Sequence, residues 1–202
     1  MLEDKRIIVT GSARGMGLAT LTAFVQAGAR VVGMDINDAD GEQAARDANA
    51  LGPGKATYLH IDIADKSSVE TAFQEAVNWL GGLDVLAHPA AIQAGSAASD
   101  VSVEHWDQMF AVNVRGTMIT NQAAYHHMKA AGGGSIINFG SISGQRAEPG
   151  AVAYSASKGA VHSWTRSAAG AWGMDRVRVN AILPAMATPM YQEAMALLTE
   201  QQ

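Results

Sequence analysis

A tyrosine and a lysine stand four residues apart in Tyr154-Ser-Ala-Ser-Lys158, and Ser141 lies thirteen residues upstream. On a helix, positions i and i+4 share a face, with Cβ atoms about 5–6 Å apart. A free phenol titrates near ~10, and each unit of displacement takes ~1.4 kcal/mol. Bringing the phenol to neutrality therefore takes about 4 kcal/mol. An ammonium held ~4 Å away, at an effective dielectric near 20, supplies about that much. The chemistry such a pair offers is proton exchange with an alcohol or a carbonyl. Tyr-x-x-x-Lys also arises by chance on exposed helix faces, so the pair gains weight only from its surroundings.

The N-terminal segment supplies them. Arg6-Ile-Ile-Val-Thr-Gly11 reads as a buried strand running into a turn, and Gly11-Ser-Ala-Arg-Gly15-Met-Gly17 leads into an amphipathic helix from Leu18 to Gly28. A strand, a glycine-rich turn and a helix start form an anion site, because first-turn N–H groups and the helix dipole both favour a phosphate. Glycine is needed where the backbone bends sharply or lies against a pyrophosphate. The spacing Gly-x-x-x-Gly-x-Gly is not Gly-x-Gly-x-x-Gly, and without a following Gly-Lys-Ser/Thr it is not a P-loop. A second apolar strand, Arg30-Val-Val-Gly-Met-Asp35, ends in an acid eighteen positions after Gly17. An acid there accepts from both adenosine ribose hydroxyls and repels a 2′-phosphate, which favours NAD over NADP. Arg14 argues the other way, as a base that could pair with that phosphate. Asp35 carries more weight.

With these residues in place, the chain resembles the short-chain dehydrogenase/reductase family from Lys5 to about Met190. The matching stretches are Thr10-Gly-Ser-Ala-Arg-Gly-Met-Gly17, Asp35, Asp62-Ile63, Asn113-Val-Arg-Gly116, Ser135-Ile-Ile-Asn-Phe-Gly-Ser141, Tyr154-x-x-x-Lys158 and Arg178-Val-Asn-Ala-Ile-Leu-Pro184. The resemblance implies a nicotinamide cofactor and a catalytic group of Asn113, Ser141, Tyr154 and Lys158. It implies that Tyr154 exchanges the proton and Ser141 holds the substrate oxygen. Lys158 lowers the phenol pKa and holds the nicotinamide ribose, and Asn113 holds a water that links Lys158 to solvent. The cofactor contacts it implies are Gly11, Arg14, Gly15, Met16, Gly17, Asp35, Asp62, Ile63, Ala90, Tyr154, Lys158, Pro184 and Thr188.

Three stretches depart from the family pattern. Asn-Asn-Ala-Gly after the fourth strand is replaced by His88-Pro-Ala-Ala91. Pro89 removes a donor and fixes φ, and Ala91 adds a Cβ beside the expected cofactor ribose. His88 reads either as a pH-responsive group or, preferably, as a structural polar residue at the strand end. Pro184-Ala-Met-Ala-Thr188 lacks the family's glycine and is one residue short. The sequence ends at Gln202, so the family's last helix and seventh strand are expected to be absent. Two functions from different classes follow: an NAD-dependent alcohol/ketone oxidoreductase, or an NAD-binding, catalytically weak sensor or interaction module.

Stepping outward to the elements, strands are predicted near 6–10, 30–35, 56–61, 83–87, 134–140 and 177–183. Helices are predicted near 16–28, 40–50, 67–80, 103–130, 153–172 and 188–199. Alternating β and α with buried strands argues for a doubly wound parallel sheet in three layers. The resemblance implies that it is Rossmann-type, in the order 3-2-1-4-5-6. The stripe Val103, Trp106, Met109, Phe110, Asn113 and Thr117 reads as core or subunit seam. The strand 176–183 is expected to be a sheet edge, and edges invite pairing. The chain is therefore expected to be oligomeric, and the resemblance implies a homodimer or homotetramer through helices 103–130 and 153–172. At 202 residues the chain is expected to be one domain, 1–202, that buries roughly 70% of its unfolded surface. A net charge of −5 gives no support for a nucleic-acid or membrane partner. No cysteine and no signal-peptide core agree with a cytoplasmic location. Adjacent His126 and His127 point in different directions on a helix, and no metal set is expected.

Overall fold

Ile7, Ile8 and Val9 have no solvent exposure, and they alternate between two separate apolar layers. That alternation is what a strand with period two does when both faces are covered. A computed structural model describes residues 2–184. It sets six strands in one parallel sheet: β1 (Arg6–Thr10), β2 (Arg30–Asp35), β3 (Lys55–His60), β4 (Val85–His88), β5 (Gly134–Phe139) and β6 (Val177–Ile182). Their order is β3-β2-β1-β4-β5-β6, as the resemblance implies. The helices are α1 (Gly15–Gln26), α2 (Asp38–Leu51), α3 (Lys66–Leu80), α4 (Val103–Phe110), α5 (Thr117–Ala130) and α6 (Val152–Trp172).

On one face, Leu21 and Val25 of α1 and Ala45 and Ala48 of α2 pack on Ile7, Val9 and Val31. On the other, Phe73 and Leu80 of α3, Ala124 and Met128 of α5 and Ala168 of α6 pack on Ile8, Leu86, Ile136 and Val179. Each large aliphatic or aromatic side chain so buried contributes about 1.5–3 kcal/mol. Helix starts are closed by local side chains. Asn37 accepts from the Asp40 amide, Asp65 from Ser67 and Ser102 from His105. Such caps contribute about 1 kcal/mol each. Helices α1, α5 and α6 have no side-chain cap.

The continuous helix expected over 103–130 is instead α4, a π-helical turn at Ala111–Gly116, and α5. The wider turn lets Asn113 leave the helix face. Its side-chain oxygen accepts from the Ile92 amide and its nitrogen donates to the Ile92 carbonyl, both at 2.9 Å. Its own carbonyl accepts from Thr117 Oγ1 at 2.7 Å. The stripe read from the sequence divides accordingly. Met109, Asn113 and Thr117 are buried, while Val103 and Trp106 face outward. Strand limits move by a residue or two, most at β4, which starts at Val85 rather than 83. The helix expected at 188–199 lies outside the described residues.

Beneath β5 a polar joint crosses the apolar layer. Asn121 of α5 and Asn138 of β5 exchange two amide hydrogen bonds at 3.0 Å. Asn138 also donates to Thr165 Oγ1, and Trp164 Nε1 donates to Asn121. Both asparagines are fully buried, and every amide oxygen and nitrogen of the pair is partnered.

Candidate active site

The carboxyl ends of β1, β2 and β4 open onto a cleft of about 510 Å³. Gly11, Arg14, Gly15, Met16, Gly17, Asp35, Asp62, Ile63 and Ala90, all expected to touch the cofactor, line it. The glycines are required by space and conformation. A Cβ on Gly17 would run into the Gly11 carbonyl, and one on Gly11 would come 2.8 Å from the Ala90 backbone. Gly15 takes φ +58, with nothing within 4 Å of where its Cβ would point. A concave main-chain surface, the uncapped first turn of α1 and an acid at the end of β2 suit a dinucleotide.

Asp35 is held from both sides. Its Oδ2 accepts from the Ala13 amide at 3.0 Å and its Oδ1 from the Asn37 amide at 3.1 Å. The carboxylate therefore fastens the phosphate loop to β2 as well as facing the cleft. Asp62 is also engaged, accepting from the Ala64 amide at 2.8 Å. Pro184 follows β6 and is not among the lining residues. Thr188 lies outside the described residues. The lining also includes Pro89, Ala91 and Ile92, so the departing segment forms one wall.

The second constellation sits where β5 ends and α6 begins. Ser141 follows Phe139 and Gly140, and its Oγ accepts from the Ser143 amide at 3.2 Å. The Ser141 hydroxyl also hydrogen-bonds Tyr154 and draws its phenol down. Burial acts more strongly in the opposite direction, and Tyr154, 8% exposed, stays above the ordinary phenol value. Lys158 is 4% exposed, and burial pushes its pKa down to about 8. Its Nζ donates to the Phe139 carbonyl at 2.8 Å and lies 5.6 Å from the centre of the Tyr154 ring. The expected lowering of the phenol by a ~4 Å ammonium is therefore not what this geometry produces. The ammonium is turned onto the end of β5, and desolvation decides the direction for both groups.

Asn113 reaches the same place from α4 and α5. Its amide nitrogen lies 3.0 Å from Ser157 Oγ, which donates to the Tyr154 carbonyl at 2.7 Å. The chain Ile92–Asn113–Ser157–Tyr154 thus links the wall of the cleft to α6. Ser157 and Ile92 were not singled out from the sequence. Ser157 precedes Lys158 and reads there as an ordinary helix hydroxyl; only the contact at the π turn reveals its use.

His88 lies inside the sheet, 2% exposed, with Nδ1 2.8 Å from Thr10 Oγ1 on the neighbouring strand. Burial first, then the Lys158 charge, push its pKa down to about 3. It is a neutral tie between β1 and β4, in line with the structural reading. Among the described residues no group of three His, Cys, Asp or Glu side chains could hold a metal ion. No described helix is long and apolar enough to cross a membrane.

Tyr154 and Lys158, also expected to touch the cofactor, are not among the residues lining the cleft. A doubly wound parallel sheet with a glycine-lined cleft, together with a Ser–Tyr–Lys cluster where β5 meets α6, defines a dinucleotide-linked oxidoreductase. The family model for the short chain dehydrogenase matches residues 5–197, and the chain belongs to that family. Such enzymes work with NAD or NADP. The chain is 37% identical over 195 residues to the cyclopentanol dehydrogenase of Comamonas sp. (strain NCIMB 9872), covering 96% of this chain and 78% of that one. It is 38% identical over 200 residues to the probable galactose dehydrogenase GalD of Rhizobium meliloti (strain 1021), covering 98% and 78%. Among solved structures, a short-chain type dehydrogenase/reductase from Mycobacterium ulcerans superposes with a TM-score of 0.91 at 30% identity, covering 98% of this chain and 72% of that one.

Proposed function

We propose that this chain is an NAD-dependent oxidoreductase that interconverts a small-molecule alcohol and its ketone, with Ser141, Tyr154, Lys158 and Asn113 as the catalytic group. The observation that carries the reading is the arrangement at Ser141. Its Oγ accepts from the Ser143 amide and hydrogen-bonds the buried Tyr154 phenol, while Lys158 is anchored at the end of the same strand. In the reductive direction the Tyr154 phenol donates its proton to the substrate carbonyl oxygen, while Ser141 donates to the same oxygen as its charge changes; oxidation is the reverse, with the Tyr154 phenolate taking the hydroxyl proton. A nicotinamide dinucleotide held by the cleft residues would supply the hydride or accept it. Lys158 supplies the positive charge nearest the phenol. The Asn113 side chain is committed to Ile92 and Ser157, and its main-chain carbonyl, which already accepts from Thr117 Oγ1, keeps one lone pair for a proton relay.

NAD is favoured over NADP by Asp35, which faces the cleft with its orientation set by two amides. Cyclopentanol and galactose, named for two relatives, support a substrate among ring-bearing or polyhydroxy alcohols. A homodimer or homotetramer is supported by the outer face of the π turn. There Phe110, Val114, Met118, Val161 and Trp164 line a hollow of about 730 Å³, and Trp106 stacks on Phe110. The test is titration of the purified chain with NAD and NADP, followed by turnover on cyclopentanol, galactose and a series of related alcohols and ketones.

A second reading, an NAD-binding and catalytically weak module, is favoured by one observation: Lys158 donates to Phe139 rather than standing against the phenol. Tight NAD binding with no turnover across that series would select it.

A further inference from the structure

The β5–β6 ladder ends at Gly140, whose amide donates to the Ile182 carbonyl at 2.8 Å. The next amide, that of Ser141, is taken by a side chain instead: it donates to His162 Nε2 at 3.2 Å. His162 is 7% exposed and stands four residues beyond Lys158, so Tyr154, Lys158 and His162 form one stripe on α6. The ring occupies a slot that two glycines leave open. A Cβ on Gly140 would strike His162 Nε2, and one on Gly144 would come 2.9 Å from His162 Cε1. Helix α6 thus holds the strand end at two points, with Lys158 on the Phe139 carbonyl and His162 on the Ser141 amide.

We propose that His162 is a positioning residue: its neutral imidazole, seated between Gly140 and Gly144, accepts the Ser141 amide and so sets where the Ser141 hydroxyl meets the substrate oxygen. This rests on the reading of Ser141 as the partner of that oxygen. Accepting at Nε2 requires a lone pair there and the proton on Nδ1. An imidazolium has no such lone pair and would turn an N–H against an N–H. Burial holds the His162 pKa below its ordinary value, and the Lys158 and Arg166 charges, both on its own helix, act in the same direction. From the Gly140–Gly144 segment packed against it come only backbone, serine hydroxyls and Ile142, none of which titrates in that range. Misplacing a reacting group by about 1 Å can cost ~10²-fold in rate.

The test uses the full chain with NAD and cyclopentanol. His162→Leu, which removes the acceptor, is expected to lower kcat by about 10- to 100-fold and leave NAD affinity within about twofold. His162→Gln, whose side-chain oxygen can stand where Nε2 stood, is expected to recover kcat to within about threefold and to lose the acid limb of the wild-type pH profile. NMR of the cofactor-free wild type supplies a reading independent of turnover: the Ser141 amide proton should shift as the His162 ring titrates. Wild-type kcat in His162→Leu, an equal loss in Leu and Gln, or a Ser141 amide indifferent to the ring would each overturn the proposal. Ser141→Ala separates the two readings. Undiminished turnover there removes the role given to Ser141, while the NMR titration still judges the imidazole–amide bond.

Discussion

At the phosphate end of the cleft the working groups are main chain. Gly11, Gly15 and Gly17 clear space, the first turn of α1 presents amides, and Asp35 spends both oxygens on the Ala13 and Asn37 N–H groups. At the end proposed for proton transfer the working groups are side chains, but what holds them runs through main chain: the Phe139 carbonyl takes Lys158, the Ser143 amide meets Ser141 Oγ, and Ser157 and His162 bond the Tyr154 carbonyl and the Ser141 amide. The first end is defined by what must be absent, a Cβ. The second is defined by charges moved out of water, with Lys158 down to about 8 and Tyr154 raised, both chiefly by burial. Substitutions in the first end should therefore damage binding, and those in the second should damage rate.

The largest effect expected from that contrast is in Tyr154→Phe. Loss of the general acid/base should lower kcat by about 10³-fold, with NAD affinity unchanged within a few-fold by calorimetry. The double variant with Lys158→Ala should be little slower than Tyr154→Phe alone, because groups acting as a unit do not add. A tyrosine-free enzyme that keeps brisk turnover would break the comparison at its root.

Lys158→Met comes next. The folded pKa of about 8 lies below the reference value of 10.5, so the unfolded chain binds more protons between those values. Burying the ammonium thus costs stability fully below about pH 8, and the cost fades as pH rises toward 10.5. At pH 7 the methionine variant should be more stable by up to about 3 kcal/mol, less whatever the bond to Phe139 supplies. Urea melts at pH 7 and pH 10.5 check it, and the advantage should shrink at the higher pH.

Asp35→Ala tests the opposite end. It should narrow the preference for NAD over NADP, yet weaken NAD binding by about 10- to 100-fold, because the Ala13 amide loses its acceptor together with the ribose. NADP should gain little in absolute affinity, since the loop that holds its pyrophosphate loosens too. Parallel titrations with both dinucleotides decide it, and a gain for NADP with NAD unchanged would show that Asp35 does not fasten the loop.

His88→Asn is the smallest effect. With its pKa near 3, His88 stays neutral in the fold while the unfolded imidazole takes up a proton below about 6.5. Wild-type stability should therefore fall as pH drops below 6.5, by about 1 kcal/mol at pH 5.5. The asparagine variant should lack that component when thermal melts at pH 7.5 and 5.5 are compared.

The sequence reached the two ends unequally. The glycine turn and Asp35 were legible because backbone requirements leave a type of residue at a position: glycine where a Cβ would collide, an acid where a strand stops; the sheet order came only through the family resemblance. The Tyr154–Lys158 pair was legible by its spacing, but its electrostatics were not. Spacing puts Lys158 beside the phenol, whereas the Phe139 carbonyl, nineteen residues back in the chain, takes the ammonium. The π turn at Ala111–Gly116 was hidden inside good helical periodicity, since what opens it is the bond from Asn113 to Ile92, a residue with no pattern of its own. His162 reads as one more residue of an amphipathic helix until Gly140 and Gly144 are seen to make room for it.

The paired amides of Asn121 and Asn138 have a consequence for how reliably this site is reproduced from molecule to molecule. Apolar packing between a helix and a sheet tolerates small slides, because one methyl can replace another. A buried two-amide joint does not: shifting either partner by one residue strands up to four polar groups, each costing about 1–3 kcal/mol. Its further bonds to Thr165 and Trp164 carry that constraint onto α6, the helix that bears Tyr154 and Lys158. The joint works as an indexing pin: the helix seats at one depth or fails to seat. The cost of those stranded groups disfavours a misregistered α6, so the depth of Tyr154 and Lys158 is set by a polar joint on the far side of the strand.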